Sequence, residues 1–468
     1  MKQSSRFAGI GLGVVACLLC LASLALAPLA EARADDPTQA LVDYVALEDD
    51  SFEWHVRQRT RLGNCDAVEL TMTSQTWRGM TWQHRLFLIV PDNIADDADA
   101  LLVIEGGRWS DSDAEPLAEG APPAYPREAT MLATFAQQLR APVAILLNVP
   151  RQPIFNGRRE DQAIAYTFDH YLNTGEQDWP LLLPMVKSAV RGMDAVQAFA
   201  KEDRGLQIDQ FTVTGASKRG WTAWLAGAVD DRVMALAPMV IDMLNINEQF
   251  PHQVESWGVF SPRIDDYTKI DLANRIMTPR GQELRQIVDP HAYLDRLTQP
   301  KMVLLGTNDG YWTLDALNLY WDDLEGEKFI VYVPNADHDL SMDWQRILGG
   351  LQALHRHAVG EQALPELQWS YASTTEGVTL SIEPGESVSR VRLWSATADS
   401  RDFRKARWTS RNLAADDDGH YIAEVETPEQ GYLAVYAELT YPRQLLPLHL
   451  ATTIRMLPSG DEASVDAN

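Results

Sequence analysis

The feature that most restricts this chain's fold is an alternation of short, unbroken apolar runs with stretches whose apolar residues return every third or fourth place. The runs "WQHRLFLIVP" (82–91), "ALLVIEGGRW" (100–109) and "PVAILLNVP" (142–150) end in Pro, Gly or charged residues and read as buried strands. Unbroken hydrophobicity is what a strand shows when both its faces are covered, as in a mostly parallel sheet between helices. A long helical section follows from Asp161 to about Lys201. In its last part Leu182, Met185, Val186, Ala189, Val190, Met193, Val196 and Phe199 make one apolar stripe, and Pro184 suits an early helical turn. The strand "FTVTG" comes next, then helical "WTAWLAGAV" and the strands "VMALAPMVID", "KMVLLGTND" and "KFIVYVPNADH". Strand and helix taking turns in this way predict an α/β domain with a mostly parallel sheet and right-handed crossovers.

Three regions depart from the alternation. "DYVALEDDSFEWHV" reads as a polar entry segment ahead of a first strand, "VELTMTSQTW". Residues 242–300 carry Phe250, Trp257, Phe260 and Tyr267 in a polar background, the composition of a lid inserted before the penultimate strand. From Pro365 onward, "GVTLSIEP", "SRVRLWSATA", "YIAEVETP" and "YLAVYAELTYP" alternate apolar with polar residues between turn signals. The expected organisation is an α/β core over 35–360 and a small β-sandwich-like domain over 361–458. The polar residues 459–468 read as a disordered tail.

The first 34 residues stand apart. Lys2 and Arg6 precede an Ala/Leu-rich apolar run, and Ala32-Arg33-Ala34 has the form of a signal-peptidase site, so the reading is an exported protein beginning near Asp35. No stable membrane insertion is expected once that segment is cleaved. The chain carries a formal charge of −26, and losing the segment takes it to −28, because three basic residues, Lys2, Arg6 and Arg33, leave with only one acidic residue, Glu31. Such an acidic surface repels nucleic acid and anionic lipid, so neither is an expected partner. Cys17 and Cys20 leave too, and Cys65 alone excludes an internal disulfide. Stability must come from the core, which a chain of this length and 46% hydrophobic content can build.

The chemistry turns on "TVTGASKRGW" (212–221), where an apolar strand runs through Gly215 and Ala216 into Ser217 and straight into a helix. A serine there is either a nucleophile or a helix cap. As a nucleophile it needs a base, and the base needs an acid to fix its tautomer. In α/β-hydrolases these groups follow in the order Ser, acid, His, each just beyond a strand. Asp309 ends "KMVLLGTND" and His338 ends "KFIVYVPNADH", in that order. Asp315 and Asp337 are rival acids, whereas His84, His170, His252 and His291 lack a strand-end context and read as structural. The oxyanion donors would be the backbone N–H of Lys218 and one from Gly106 or, by preference, Gly107. The elbow departs from G-x-S-x-G: the second place after serine is Arg219, and glycine comes one place later, at Gly220. Two cations thus stand beside the serine. No metal-binding or phosphate-binding spacing is present, so no cofactor or metal is expected, and Asp416-Asp417-Asp418-Gly419 reads as a turn.

"TGASKRGWTAWLAG", "LPMVKSAVRGMDAVQAF", "YWDDLEGEKFIVYVPNADHDL", "TWQHRLFLIVP" and "VRLWSATADSRDFRKARW" together resemble the PhoPQ-activated pathogenicity-related protein family of exported bacterial proteins, over the span from about Tyr44 to Pro442. The resemblance implies an α/β-hydrolase-like fold, distantly similar to serine peptidases and esterases, and supports Ser217 and His338. It leaves Asp309 and Asp315 open; Asp309 is preferred here because it directly ends its strand. The functional expectation is an exported serine hydrolase, a peptidase or an esterase, acting on a peptide or small-molecule substrate through an acyl-enzyme. The alternative from another class is a non-catalytic peptide-binding or defence protein on a hydrolase scaffold.

Overall fold

Nine strands form the central sheet: β1 (Glu53–Leu62), β2 (Cys65–Trp77), β3 (Met80–Pro91), β4 (Ala100–Ile104), β5 (Val143–Leu146), β6 (Phe211–Ala216), β7 (Val233–Met239), β8 (Lys301–Gly306) and β9 (Lys328–Val333). Their order is β1-β2-β3-β5-β4-β6-β7-β8-β9. Pairing is antiparallel from β1 to β5 and parallel from β5 to β9. The computed structural model describes residues 36–95, 99–115, 117, 125–126, 128–340 and 343–459. The expected signal segment (1–34) and the tail beyond 459 lie outside the described residues.

The helices are α1 (Gln39–Ala46), α2 (Ala129–Leu139), α3 (Glu160–Thr174), α4 (Leu182–Arg204), α5 (Lys218–Val229), α6 (Ile246–Trp257), α7 (Asp265–Thr268), α8 (Leu272–Arg275), α9 (Pro279–Val288) and α10 (Trp344–Ala358). Successive residues of a central strand enter different cores. Leu102 and Ile104 of β4 join the core built with α4 and α5, which includes Val186, Val196, Trp224 and Leu225. Leu101 and Val103 join the core of Leu132 and Phe135 from α2 and Ile347, Leu351 and Leu354 from α10. Both faces are covered, which is why these strands read as unbroken apolar runs.

Beyond α10, β10 (Gln368–Ser373), β11 (Gly377–Glu383) and β14 (Tyr421–Glu426) form a three-stranded antiparallel sheet. A second antiparallel sheet contains β12 (Arg390–Ala398), β13 (Thr409–Asn412), β15 (Tyr432–Tyr441), β16 (Leu448–Ala451) and β17 (Arg455–Pro458). Leu380, Val391 and Val435 pack with α2 and α10 in one continuous core. From Pro37 onward the chain is one compact unit.

The entry segment contains more than the sequence suggests, because α1 runs into its start and the long edge strand β1 begins within it. β1 carries no buried residue in its ten, so no hydrophobic signal marks it. It is held by backbone pairing to β2 and by ion pairs such as Arg57 with Glu69 and Arg59 with Asp203. The long helical section is two helices, since α3 stops at Gly175, whose φ of 78° is a left-handed cap. The insertion before β8 is α6 to α9 with short helical turns, and it overlies the elbow.

Candidate active site

Ser217 stands between β6 and α5 with φ 58° and ψ −127°, outside the regions open to L-residues at low energy. Such strain costs about 1–3 kcal/mol and persists only where its surroundings enforce it. Here the Ser217 amide donates to the Met239 carbonyl at 2.8 Å. The hydroxyl makes no capping hydrogen bond to α5, so the capping role fails to account for this serine. Instead Ser217 lines a cavity with an empty volume of about 650 Å³, open mouth included, together with Lys218 and His338.

The departure at Arg219 has a structural cause. Its guanidinium makes two hydrogen bonds of 2.7 Å with Glu160 and a third, of 2.6 Å, with the Val149 carbonyl. Gly106 must be glycine to allow this, because a Cβ there would stand 2.3 Å from the Arg219 Nη2. The close approach of helix to strand falls instead on Gly220, where a Cβ would lie 2.8 Å from Ile241 Cγ2 and 2.9 Å from the Gly215 carbonyl. Lys218 Nζ lies 3.1 Å from Glu160 and 3.4 Å from Asp161. Burial works against the Glu160 charge, but the Arg219 hydrogen bonds and the two cations prevail and hold its pKa down to about 2. The two cations beside the serine are therefore neutralised locally. Glu160 and Asp161, at the start of α3, escape sequence reasoning because nothing marks them as partners of residues about 60 positions away.

The expected histidine pairs with the preferred aspartate: His338 Nδ1 lies 2.8 Å from Asp309 Oδ2. Nδ1 must carry the proton to donate to a carboxylate, which leaves Nε2 as the unprotonated nitrogen of the neutral ring. Asp309 Oδ1 accepts from the Tyr311 amide at 2.9 Å, and the Tyr311 ring lies against the imidazole at a centroid distance of 4.1 Å. The hydrogen bonds of the described residues do not include one between Ser217 Oγ and His338; the two groups share a cavity wall. Bonds of this kind tighten when substrate binds.

Asp315 belongs to another pair. Its Oδ1 lies 2.7 Å from His252 Nε2 and its Oδ2 3.2 Å from Arg401 Nη2. Neither Asp315 nor His252 lines the Ser217 cavity. Asp337 is half exposed and faces Arg263 at 3.5 Å. Of the oxyanion candidates, Lys218 is the first residue of α5, so its N–H has no acceptor within the helix and lies at the positive end of the helix dipole. Gly106 and Gly107 are not among the residues lining the cavity; Gly106 covers Arg219, and Gly107, with φ 119°, faces Asn148. The acid loop is braced from the C-terminal sheets, since Asn308 Nδ2 donates to the carbonyls of Phe403, Arg404 and Ala406 at 3.2, 3.3 and 2.8 Å.

A mostly parallel sheet between helices, with a serine on a strained strand-to-helix elbow and an Asp-His pair beyond later strands, defines an α/β-hydrolase fold. Residues 41–404 match the model of the PhoPQ-activated pathogenicity-related protein family, and the chain belongs to that family. A relative is the Autocrine proliferation repressor protein A of Dictyostelium discoideum, 30% identical over 438 residues, covering 86% of this chain and 85% of that protein. Among solved structures, acetyl xylan esterase 1 from Thermoanaerobacterium sp. JW/SL YS485 is 13% identical with a TM-score of 0.43, over 66% of this chain and 92% of that one. The acylaminoacyl peptidase of Pyrococcus horikoshii is 13% identical with a TM-score of 0.37, over 64% and 39%. No helix among the described residues is long and apolar enough to cross a membrane.

Proposed function

We propose that this protein is an exported serine hydrolase that cleaves an ester or amide bond through an acyl-enzyme. The observation that carries the reading is Ser217 itself, held on a strained turn with no capping bond. It shares a cavity with a histidine whose other nitrogen is 2.8 Å from a carboxylate. Ser217 Oγ attacks the substrate carbonyl carbon while His338 Nε2 takes the hydroxyl proton. Asp309 stabilises the imidazolium that results. The oxyanion is met by the Lys218 N–H at the start of α5. His338 returns the proton to the leaving group, and water, activated by the same nitrogen, then releases the acyl group. Export rests on residues 1–34 of the sequence.

The test is fluorophosphonate labelling of the mature protein beside Ser217→Ala and His338→Ala variants shown to be folded. Labelling of the wild type and its loss in both variants support the mechanism; no labelling of the folded wild type overturns it.

The name of the Dictyostelium relative, which describes an action on proliferation, favours a second reading: a binding protein that uses the hydrolase scaffold without chemistry. Its acidic surface would then hold cationic peptides in a salt-dependent way. Ser217→Ala would leave that binding intact, and binding that is unchanged at high salt would count against it.

A further inference from the structure

The Ser217 cavity is apolar over most of its wall. Its lining includes Phe168 of α3, Trp221 of α5 and the lid residues Leu272, Ile276 and Val288. Trp221 turns its one polar atom out of the space, donating Nε1–H to the Val288 carbonyl, and so shows the cavity only carbon. Leu272 and Ile276 are buried in the lid, so this wall exists only because the insertion covers the elbow. Tyr311, whose ring is tilted by 31° against the His338 imidazole, lines the same cavity. The charged groups facing the space are committed to one another or to the pair already described. Asp161 accepts from the Tyr267 hydroxyl at 2.9 Å and sits 3.4 Å from Lys218 Nζ, which is also 3.1 Å from Glu160.

We propose that the substrate presents an apolar, uncharged acyl group to Ser217, seated between α5 and the lid; this rests on the acyl-enzyme reading above. The side of the cavity follows from the chemistry. The leaving group must receive its proton from His338 and depart, so it lies on the side of His338 and Tyr311. The acyl group stays bonded to Ser217 until water arrives, and the apolar wall suits the part that stays. A carboxylate on the acyl group would compete with Asp161 for Lys218, and an ammonium would meet Lys218 itself. For an amide substrate, the equivalent is an apolar side chain on the residue that supplies the scissile carbonyl. Each methylene seated on such a wall should raise kcat/KM about three- to four-fold, the equivalent of its transfer from water.

The experiment uses the mature wild-type chain and p-nitrophenyl esters from acetyl through butyryl to hexanoyl, with the succinyl half-ester as the charged control. The expected result is a rise in kcat/KM on the order of 100-fold from acetyl to hexanoyl and a succinyl ester slower than the butyryl. Ile276→Trp, which narrows the space along that wall, should move the optimum toward acetyl. If that variant fails to fold, the wild-type series decides alone. A flat or falling series, or a succinyl ester faster than the butyryl, overturns the proposal. Fluorophosphonate labelling of the same preparation separates the two levels. A labelled protein with a flat series keeps its serine chemistry and loses the apolar acyl site, whereas a folded protein that reacts with neither loses both.

Discussion

Asn335, in the left-handed region at φ 61° and three residues ahead of His338, exchanges two hydrogen bonds with the backbone of Trp408. The Trp408 amide donates to its Oδ1 at 2.8 Å, and its Nδ2 donates to the Trp408 carbonyl at 3.1 Å. Asn308 holds carbonyls of the same segment from the acid loop. One segment between β12 and β13, anchored by the buried Phe403 and Trp408, therefore fixes both loops that carry the Asp-His pair. Arg401 extends the brace to the lid through Glu255 at 3.0 Å.

These two asparagines position groups and need touch no substrate. Asn308→Ala and Asn335→Ala should each lower kcat about 10- to 100-fold, as small misplacements of reacting groups do, with KM changed far less. Steady-state kinetics on whichever ester proves best would check this, and an equal loss in kcat/KM arising from KM alone would contradict it. Glutamine at either place, with the same amide on a longer arm, should recover little.

Asp309 and Asp315 should separate cleanly by substitution. Asp309→Asn leaves His338 without the carboxylate that sets its tautomer and should cost about 10³–10⁴-fold in kcat with little change in Tm. Asp315→Asn removes the carboxylate that His252 bonds and leaves Arg401 with Glu255 as its remaining charge partner, in a largely buried place. It should cost about 3 kcal/mol of stability while retaining most activity at low temperature. Thermal unfolding and labelling, measured on both variants, distinguish the roles, and the reverse pattern would transfer the acid to Asp315.

Gly220→Ala tests the unusual elbow. An alanine inside a helix ordinarily gains about 1 kcal/mol over glycine. Here its Cβ would meet the Gly215 carbonyl at 2.9 Å and the Met239 carbonyl at 3.0 Å, atoms that cannot move independently of the turn. A net loss of about 1–3 kcal/mol is expected, with labelling of Ser217 slowed, because the strain falls on the turn that aims it. Denaturant unfolding at neutral pH measures it, and a stabilised variant would show that the elbow is looser than described.

Asp242 supplies a pH test. It is buried and accepts from the Tyr320 hydroxyl at 2.8 Å. Burial, with the neighbouring charges of Asp309 and Asp315 adding to it, pushes its carboxyl up to about 8. The folded state thus keeps a proton that the unfolded chain releases near pH 4, so this residue's contribution to stability declines as pH rises from about 4 to about 8. Asp242→Asn, which can still accept from Tyr320, removes that decline. The Tm advantage of the variant over wild type should therefore grow between pH 5 and pH 8, and an advantage that shrinks over that range would refute the assignment.

The sequence by itself determined the architecture of the parallel half of the sheet, because strands covered on both faces must be apolar without interruption, as in Leu101 to Ile104 and Met302 to Leu305. It also placed Ser217, Asp309 and His338 at strand ends in a workable order, since that order is a property of the chain. It could not reveal β1, whose exposed residues carry no hydrophobic signal, nor the break at Gly175 between two helices. Tertiary structure alone decided which aspartate meets which histidine. Asp309 and Asp315 lie six positions apart, but the turn between them sends one carboxylate to His338 and the other to His252 and Arg401. It also decided the fate of the two cations, whose partners Glu160 and Asp161 are remote in the chain. Charge pairing and side-chain direction depend on how distant segments meet, and a periodic pattern along one segment holds no record of that.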